Sequence, residues 1–289
     1  MLHMNELAGL GVSRQRARTA VARGRWLAPR RAVVAPLAVA TDDANEYLVA
    51  RRAHALAATA EVLVHRDHVV SGRSAAVLHG IPVIGRLGRP ILTAVFPDCL
   101  GRRGGAHIRG AEVYSDDVTL WFGAPVTTTA RTIVDMARLD RRDGVAAADA
   151  ALRENLVSRR QLEAALEIHR GWPGVRQARE IVAFADPRAE SPLESVLRLA
   201  LHEDGFPPPQ LQAEIAGFEV DMLWPKQRLV LEADGRLKYT DGDAWWREKR
   251  REQVLRRLDY HVERVIWADV LLNWLATSAR LRRLLRLHV

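Results

Sequence analysis

Lysine is nearly missing from this 289-residue chain: Lys226, Lys238 and Lys249 are the only three among 43 lysines and arginines. Cysteine occurs once, as Cys99, which excludes an internal disulfide or a cysteine-rich zinc site and fits a reducing cytoplasm. No apolar run approaches a membrane span, and the N-terminus MLHMNELAGL lacks the basic-then-apolar form of a signal peptide. The expectation is a soluble, cytoplasmic protein without membrane contact. Gly-rich phosphate loops, a Ser-His-Asp pattern, repeats and low-complexity tracts are absent as well. His65 and His68 are spaced too weakly to read as metal ligands and are expected on the surface. What remains is ordinary globular composition, 48% hydrophobic and 27% charged, with length for two or three domains.

Acid is missing from one stretch in particular. Between Leu7 and Thr41 there is no Asp or Glu, while Arg14, Arg16, Arg18, Arg23, Arg25, Arg30 and Arg31 all fall there. With a formal net charge of +8, that imbalance points to a polyanionic partner, double-stranded DNA first among them. His3 to Ala8 reads as a short helix and Gly9 to Gly11 as a turn. Ser13 caps a second helix that Gly24 stops, and Trp26 to Ala35 forms a small β wing. Residues 1–40 are thus expected to be a reduced winged helix-turn-helix. Arg14, Gln15 and Arg18 would face the bases, and Arg30 in the wing would contact phosphate.

The three lysines fall together among carboxylates near the C-terminus. Phe218–Leu223 and Arg228–Asp234 read as strands joined through Trp224-Pro225-Lys226-Gln227. An even-length loop sets the register. Phe218, Val220, Met222, Leu229, Leu231 and Ala233 then share an apolar face, and Glu219, Asp221, Glu232 and Asp234 share the other. That second face is either the wet side of a half-buried sheet or a cation site, since clustered acids repel one another without a counter-ion. Magnesium needs only one or two carboxylates. Upstream, Ser191-Pro192-Leu193-Glu194 opens a helix with the spacing of a capping box, so Glu194 has a structural role open to it beside a site role. Asp243 to Leu258 reads as a helix with Trp245, Trp246, Val254, Leu255 and Leu258 inward. Lys249, Arg250, Arg251, Arg256 and Arg257 lie on its other side, and Arg250 is a candidate phosphate contact. His261 to Trp267 reads as a further strand, with a closing helix after it.

The pieces SPLES, VDMLW, LVLEADGRLKY, EKRREQVLRRLDY and HVERVIWADV resemble the DUF559 family, a branch of the PD-(D/E)XK nucleases related to very-short-patch-repair endonucleases. The resemblance implies an αβββαβ restriction-endonuclease-like core over residues 189–289 and magnesium-dependent (or manganese-dependent) cleavage of DNA. It carries site roles onto Glu194, Asp221 and Glu232. Asp234 stands where the superfamily motif has lysine, so Lys238 or Lys249 would have to supply the ammonium. Asp221, Glu232 and Asp234 are the expected metal ligands. The stretch LAGLGVSRQRARTAVARGRWLAPRRAVVAP, with VVSGRSAAVLHGIP and APVTTTARTIVDMAR, resembles AbiEi-type antitoxins of type IV toxin–antitoxin systems. That resemblance implies operator binding and a nucleotidyltransferase-like toxin as partner. Residues 41–188 are expected to be a middle α+β module in an α/β multi-domain chain. Two readings follow: a magnesium-dependent DNA endonuclease, or a non-enzymatic regulator whose nuclease-like domain is degenerate.

Overall fold

A computed structural model describes residues 1–4, 6–10, 12–30, 33–36, 45–65, 67–95, 100–235 and 242–287. The chain is a mixed α/β protein of two compact units, Met1–Asp140 with Val157–Arg179 and Arg141–Leu156 with Glu180–Val289. This division does not follow the expected boundaries at 40 and 188. The N-terminal segment packs within the first unit, and the helix Arg141–Arg153 packs within the second.

In the first unit, β1 (Leu2–His3), β2 (Trp26–Arg30) and β3 (Val33–Pro36) form a small sheet in the order β1-β3-β2. Helix α1 (Arg14–Ala22) lies beside it, and Leu7, Ala17 and Val34 make the local core. Ser13 caps α1 by accepting the Arg16 N–H at 3.2 Å, and Gly24 turns the chain at φ +66°. The helix expected over His3–Ala8 is instead a strand followed by a 3-10 turn, Leu7–Leu10. Pairing of Leu2 with Val34 and His3 with Val33 claims those residues for the sheet.

Helix α2 (Glu46–Val64) runs on through the β-branched and apolar stretch Glu61–Val64. Ala58 and Val62 on its inner face bury against Val70, Leu92 and Val126, so the helical period outweighs the β-branched residues at its end. The sheet beneath has the order β6-β7-β5-β4-β9-β8: β4 (His68–Val70), β5 (Ile91–Ala94), β6 (Gly101–Arg103), β7 (Ala106–Gly110), β8 (Val118–Trp121) and β9 (Ala124–Thr127). Helices α3 (Gly72–Leu78), α4 (Thr129–Leu139) and α6 (Arg159–Ile168) also belong to this unit.

The second unit holds α5 (Arg141–Arg153) and α8 (Pro192–Glu203), joined by a buried pair in which Arg198 Nη2 donates to Asp149 Oδ2 at 2.8 Å. Its sheet has the order β10-β11-β12-β13: β10 (Gln210–Ile215), β11 (Phe218–Trp224), β12 (Leu229–Ala233) and β13 (His261–Val265). Two of the three pairings are antiparallel, while β12 and β13 run parallel with α9 (Gly242–Arg257) between them in sequence. The expected closing helix is two, α10 (Trp267–Leu271) and α11 (Trp274–Leu285). Among the described residues, no helix is long and apolar enough to cross a membrane.

Candidate functional site

The hairpin β11–β12 sets the geometry of the acidic site. Met222 pairs with Leu231, Leu223 with Val230 and Trp224 with Leu229, leaving four residues in the connection. The connection, residues 225–228, is even like the Trp224–Gln227 loop read from the sequence but lies one residue further on, and continuing the register places Asp221 across from Glu232. Val220, Met222, Leu229 and Leu231 are buried, as the apolar face requires. The opposite face is not wet. Leu223 and Val230, next along on the same side as Asp221 and Glu232, are also buried and pack with Leu255 of α9. Strand β12 is therefore covered on both faces, which is why it reads as a nearly unbroken apolar run.

At the open end of this hairpin the ladder gives way to a side chain. Asp221 Oδ2 accepts the Ala233 N–H at 2.7 Å. Burial pushes the Asp221 carboxyl above its ordinary range; Glu190 and Glu219 push the same way, against the Ala233 N–H and Arg251. Glu194, only 5% exposed, sits on the first turn of α8. Its Oε2 accepts the Glu190 N–H and Gln212 Nε2, each at 2.9 Å. The capping interaction is thus shifted one residue upstream of Ser191, whose own Oγ accepts the Glu194 N–H at 3.2 Å. Burial raises the Glu194 carboxyl, and the charges of Asp221 and Glu190 add to it. The Glu194 carboxyl on α8 thus feels the charge of Asp221 on β11, and the charge of Glu190 acts on both.

Glu232 is matched differently. Arg251 reaches back from α9 and forms an ion pair with it, both side chains being mostly buried. Asp234 lies at the end of β12, where its N–H donates to Val265 O at 2.8 Å. Of the expected ligands Asp221, Glu232 and Asp234, Glu232 is paired with the guanidinium of Arg251 from α9. Among the described residues, no group of three or more His, Cys, Asp or Glu is placed to hold a metal ion. Magnesium asks for only one or two carboxylates, and Glu194 with Asp221 offers hard oxygen donors in mutual repulsion, so this pair fits such an ion. Lys238 lies outside the described residues, as does the side chain of Lys249, whose backbone is in α9. Trp245 and Trp246 are likewise placed in α9 by backbone alone. Leu258, expected inward, is 43% exposed.

The sequence reading missed Glu190, Gln212 and Arg251 as members of this site. Gln212 adopts φ +47°, a left-handed conformation unusual for a non-glycine residue in a strand. Nothing in its type signals that. Arg251 was one of five basic residues on a helix, and only the packing of Leu255 shows which of them turns toward the sheet.

In the first unit, Arg14, Gln15 and Arg18 are all exposed on α1, and Ala17 alone is buried there. A hollow of about 470 Å³ lies alongside, rimmed by Gln15, Arg16, Thr19, Arg23, Arg25 and Trp26. Arg250 on α9 is exposed as well. Arg30 is not. Its guanidinium pairs with Glu61 of α2, and the two side chains are 20% and 5% exposed. The assignment of Arg30 as a phosphate contact is corrected: it ties strand β2 to Glu61 of α2. His65, at the end of α2, places Nε2 3.7 Å from the same carboxylate, and its ring lies 5.2 Å from that of His68. The two histidines are half-buried beside this pair, not surface residues.

No family model matches the chain. It is similar to the uncharacterized protein Rv2248 of Mycobacterium tuberculosis (strain ATCC 25618 / H37Rv) and to the uncharacterized protein MT2308 of strain CDC 1551 / Oshkosh. Each is 37% identical over 155 residues, covering 51% of this chain and 57% of the relative. The match thus spans less than two thirds of either relative's length.

Proposed function

We propose that the chain is a DNA-binding protein whose second unit carries a phosphodiester-hydrolysing site. In this reading, residues 1–36 form a reduced winged helix-turn-helix, and the order α8, β10, β11, β12, α9, β13 is the αβββαβ core of an endonuclease-like domain. The observation that carries the reading is the pairing of Glu194 with Asp221. A buried and a half-buried carboxylate from separate elements, each with its pKa raised, cost stability unless a ligand uses them. Magnesium or manganese held there would lower the pKa of its water and offset charge building on phosphate oxygens. The chain's own residues do the rest. Gln212 and the Glu190 N–H fix the Glu194 carboxylate, the Ala233 N–H fixes Asp221, and Arg251 places a positive charge on the same face. The exposed Arg14, Gln15 and Arg18 would hold duplex DNA.

A second reading has its own support. Glu232 is already neutralised by Arg251, and Asp234 stands where a catalytic ammonium would be expected. A non-enzymatic regulator, with a nucleotidyltransferase-like toxin as partner, would retain this fold without hydrolysis. One experiment separates the two. Purified protein is incubated with supercoiled plasmid and magnesium or manganese, with and without chelator, beside Asp221→Asn. Metal-dependent nicking that falls by orders of magnitude in the variant supports the enzyme. Undiminished operator binding with no nicking by either protein supports the regulator.

A further inference from the structure

The hollow beside α1 carries charge of one sign. Arg16, Arg23 and Arg25 line it, and no Asp or Glu does. All three arginines are exposed, and no hydrogen bond or ion pair engages their guanidiniums among the described residues. Two other polar groups of the lining are engaged locally. Ser13 Oγ accepts the Arg16 N–H at 3.2 Å, and Thr19 Oγ1 donates to Gln15 O at 3.0 Å. This is a different stripe of α1 from the one assigned to duplex DNA. At about 100° per residue, Arg16, Thr19 and Arg23 share one side of the helix and Arg14 and Arg18 another, with Gln15 between them.

Trp26, at the start of β2, gives the hollow its aromatic surface. It is half-buried and packs against the cluster of Leu7, Ala17 and Val34, so the ring is anchored in the local core. Its indole N–H has no acceptor among the described residues. Val12 and Ala20 add apolar surface to the lining. The hollow thus joins unengaged cationic donors to a fixed aromatic ring. At about 470 Å³, it falls within the roughly 300–1,000 Å³ of small-ligand sites.

An occupant that meets both features carries negative charge on paired oxygens, matched to guanidinium forks, and a flat ring that packs on the indole. We propose that the hollow binds a nucleotide whose base is unpaired, with the base against Trp26 and the phosphate on Arg16, Arg23 and Arg25. A base inside a duplex is stacked on both ring faces and reaches an indole only by leaving the stack. The nucleotide is either free or part of a single strand, since phosphate and base are common to both. The proposal requires neither the duplex contact of Arg14 and Arg18 nor the acidic site of the second unit, so each can fail alone.

The test uses the full chain in the presence of chelator, which prevents metal-dependent cleavage of the probe, and the anisotropy of a fluorescein-labelled single-stranded oligonucleotide. The wild type should bind this strand at least about fivefold more tightly than an abasic strand of equal length and charge, the scale on which stacking on an aromatic side chain contributes. Arg16→Gln combined with Arg23→Gln should weaken binding at least about tenfold. Arg14→Gln combined with Arg18→Gln removes the same charge from the other stripe of α1 and should cost clearly less. Trp26→Leu should abolish the preference for the strand that carries bases, and Trp26→Phe should keep it. If Trp26→Leu does not fold, the two arginine pairs and the abasic strand still decide. Displacement of the probe by dAMP assigns a free nucleotide as the source, and resistance to dAMP assigns the single strand. The proposal is overturned if the abasic strand binds as well as the base-bearing one, or if the two arginine pairs weaken binding equally. It is also overturned if polyglutamate displaces the probe as well as the unlabelled strand does.

Discussion

Consider Arg30→Ala. If Arg30 were a wing contact to phosphate, the substitution would weaken binding to all DNA, flatten its salt dependence and leave folding untouched. The ion pair with Glu61 gives a different expectation. Glu61 is 4% exposed on α2, and the pair lies on the β6–β7 turn: a Cβ on Gly104 would meet Arg30 Nη2 at 2.6 Å, and one on Gly105 would collide with Glu61 Oε1. Removing the arginine strands a buried carboxylate, a loss of about 3–5 kcal/mol for such pairs. The Gly105 N–H still serves Glu61 and Arg30 is partly solvated, so the low end, about 3 kcal/mol, is expected. For a unit of this size that corresponds to a fall in melting temperature of roughly 6–12 °C. The pH dependence supplies a second check. Burial raises the Glu61 pKa, with Arg30 working against it, so losing Arg30 raises it further. The folded variant then holds a proton more tightly than the unfolded chain, and stability is recovered as pH falls through that raised value. The deficit should be largest at pH 8 and narrow toward pH 5. Thermal unfolding at both pH values, with hydrogen exchange localised to α2 and β7, measures it. A variant as stable as the wild type at pH 8, with DNA affinity reduced, would refute the reasoning and restore the phosphate contact.

Asp221→Asn should leave the apo protein at least as stable as the wild type at pH 7, because a raised carboxyl in a repelling field is removed; denaturant unfolding reads this, and a loss above about 2 kcal/mol would mean that the Ala233 N–H needs a charged acceptor. The wild type itself should gain stability as pH falls through the raised pKa values of Glu194 and Asp221, a gain that Glu194→Gln diminishes, visible in melting curves between pH 8 and pH 5. Arg18→Ala on α1 should weaken binding to a specific promoter fragment by roughly 1–3 kcal/mol, seen in mobility shifts, while Arg160→Ala should not. Arg251→Gln removes the ion pair to Glu232 and should lower stability by up to about 3 kcal/mol, read in denaturant unfolding; an unchanged midpoint would mean that the pair contributes nothing net.

What the sequence made legible was local. Ser13 and Gly24 bound α1, Pro192 starts α8, and the even length of the β11–β12 connection puts Asp221 on the same face as Glu232, although the connection is residues 225–228 and not Trp224–Gln227. Each of these follows from a turn, a cap or an alternation within a dozen residues. What was not legible depended on partners far along the chain. Arg30 reads as one of seven arginines in an acid-free segment until Glu61, on another element, takes it. Arg251 is indistinguishable from Arg250 until Leu255 buries against β12 and fixes which side of α9 faces the sheet. The same holds for the acids. Four carboxylates on one strand face read as a single cluster, yet their fates divide according to what packs over each. Glu232 receives a guanidinium from α9, and Asp221 receives a backbone N–H together with another acid from α8. A periodic pattern assigns a residue to a face but not a counter-charge, because the counter-charge is chosen by tertiary packing. In this chain, then, the unpaired charges are better candidates for function than the most numerous ones. Glu194, whose carboxyl is raised by burial and by the charge of Asp221, is such a place.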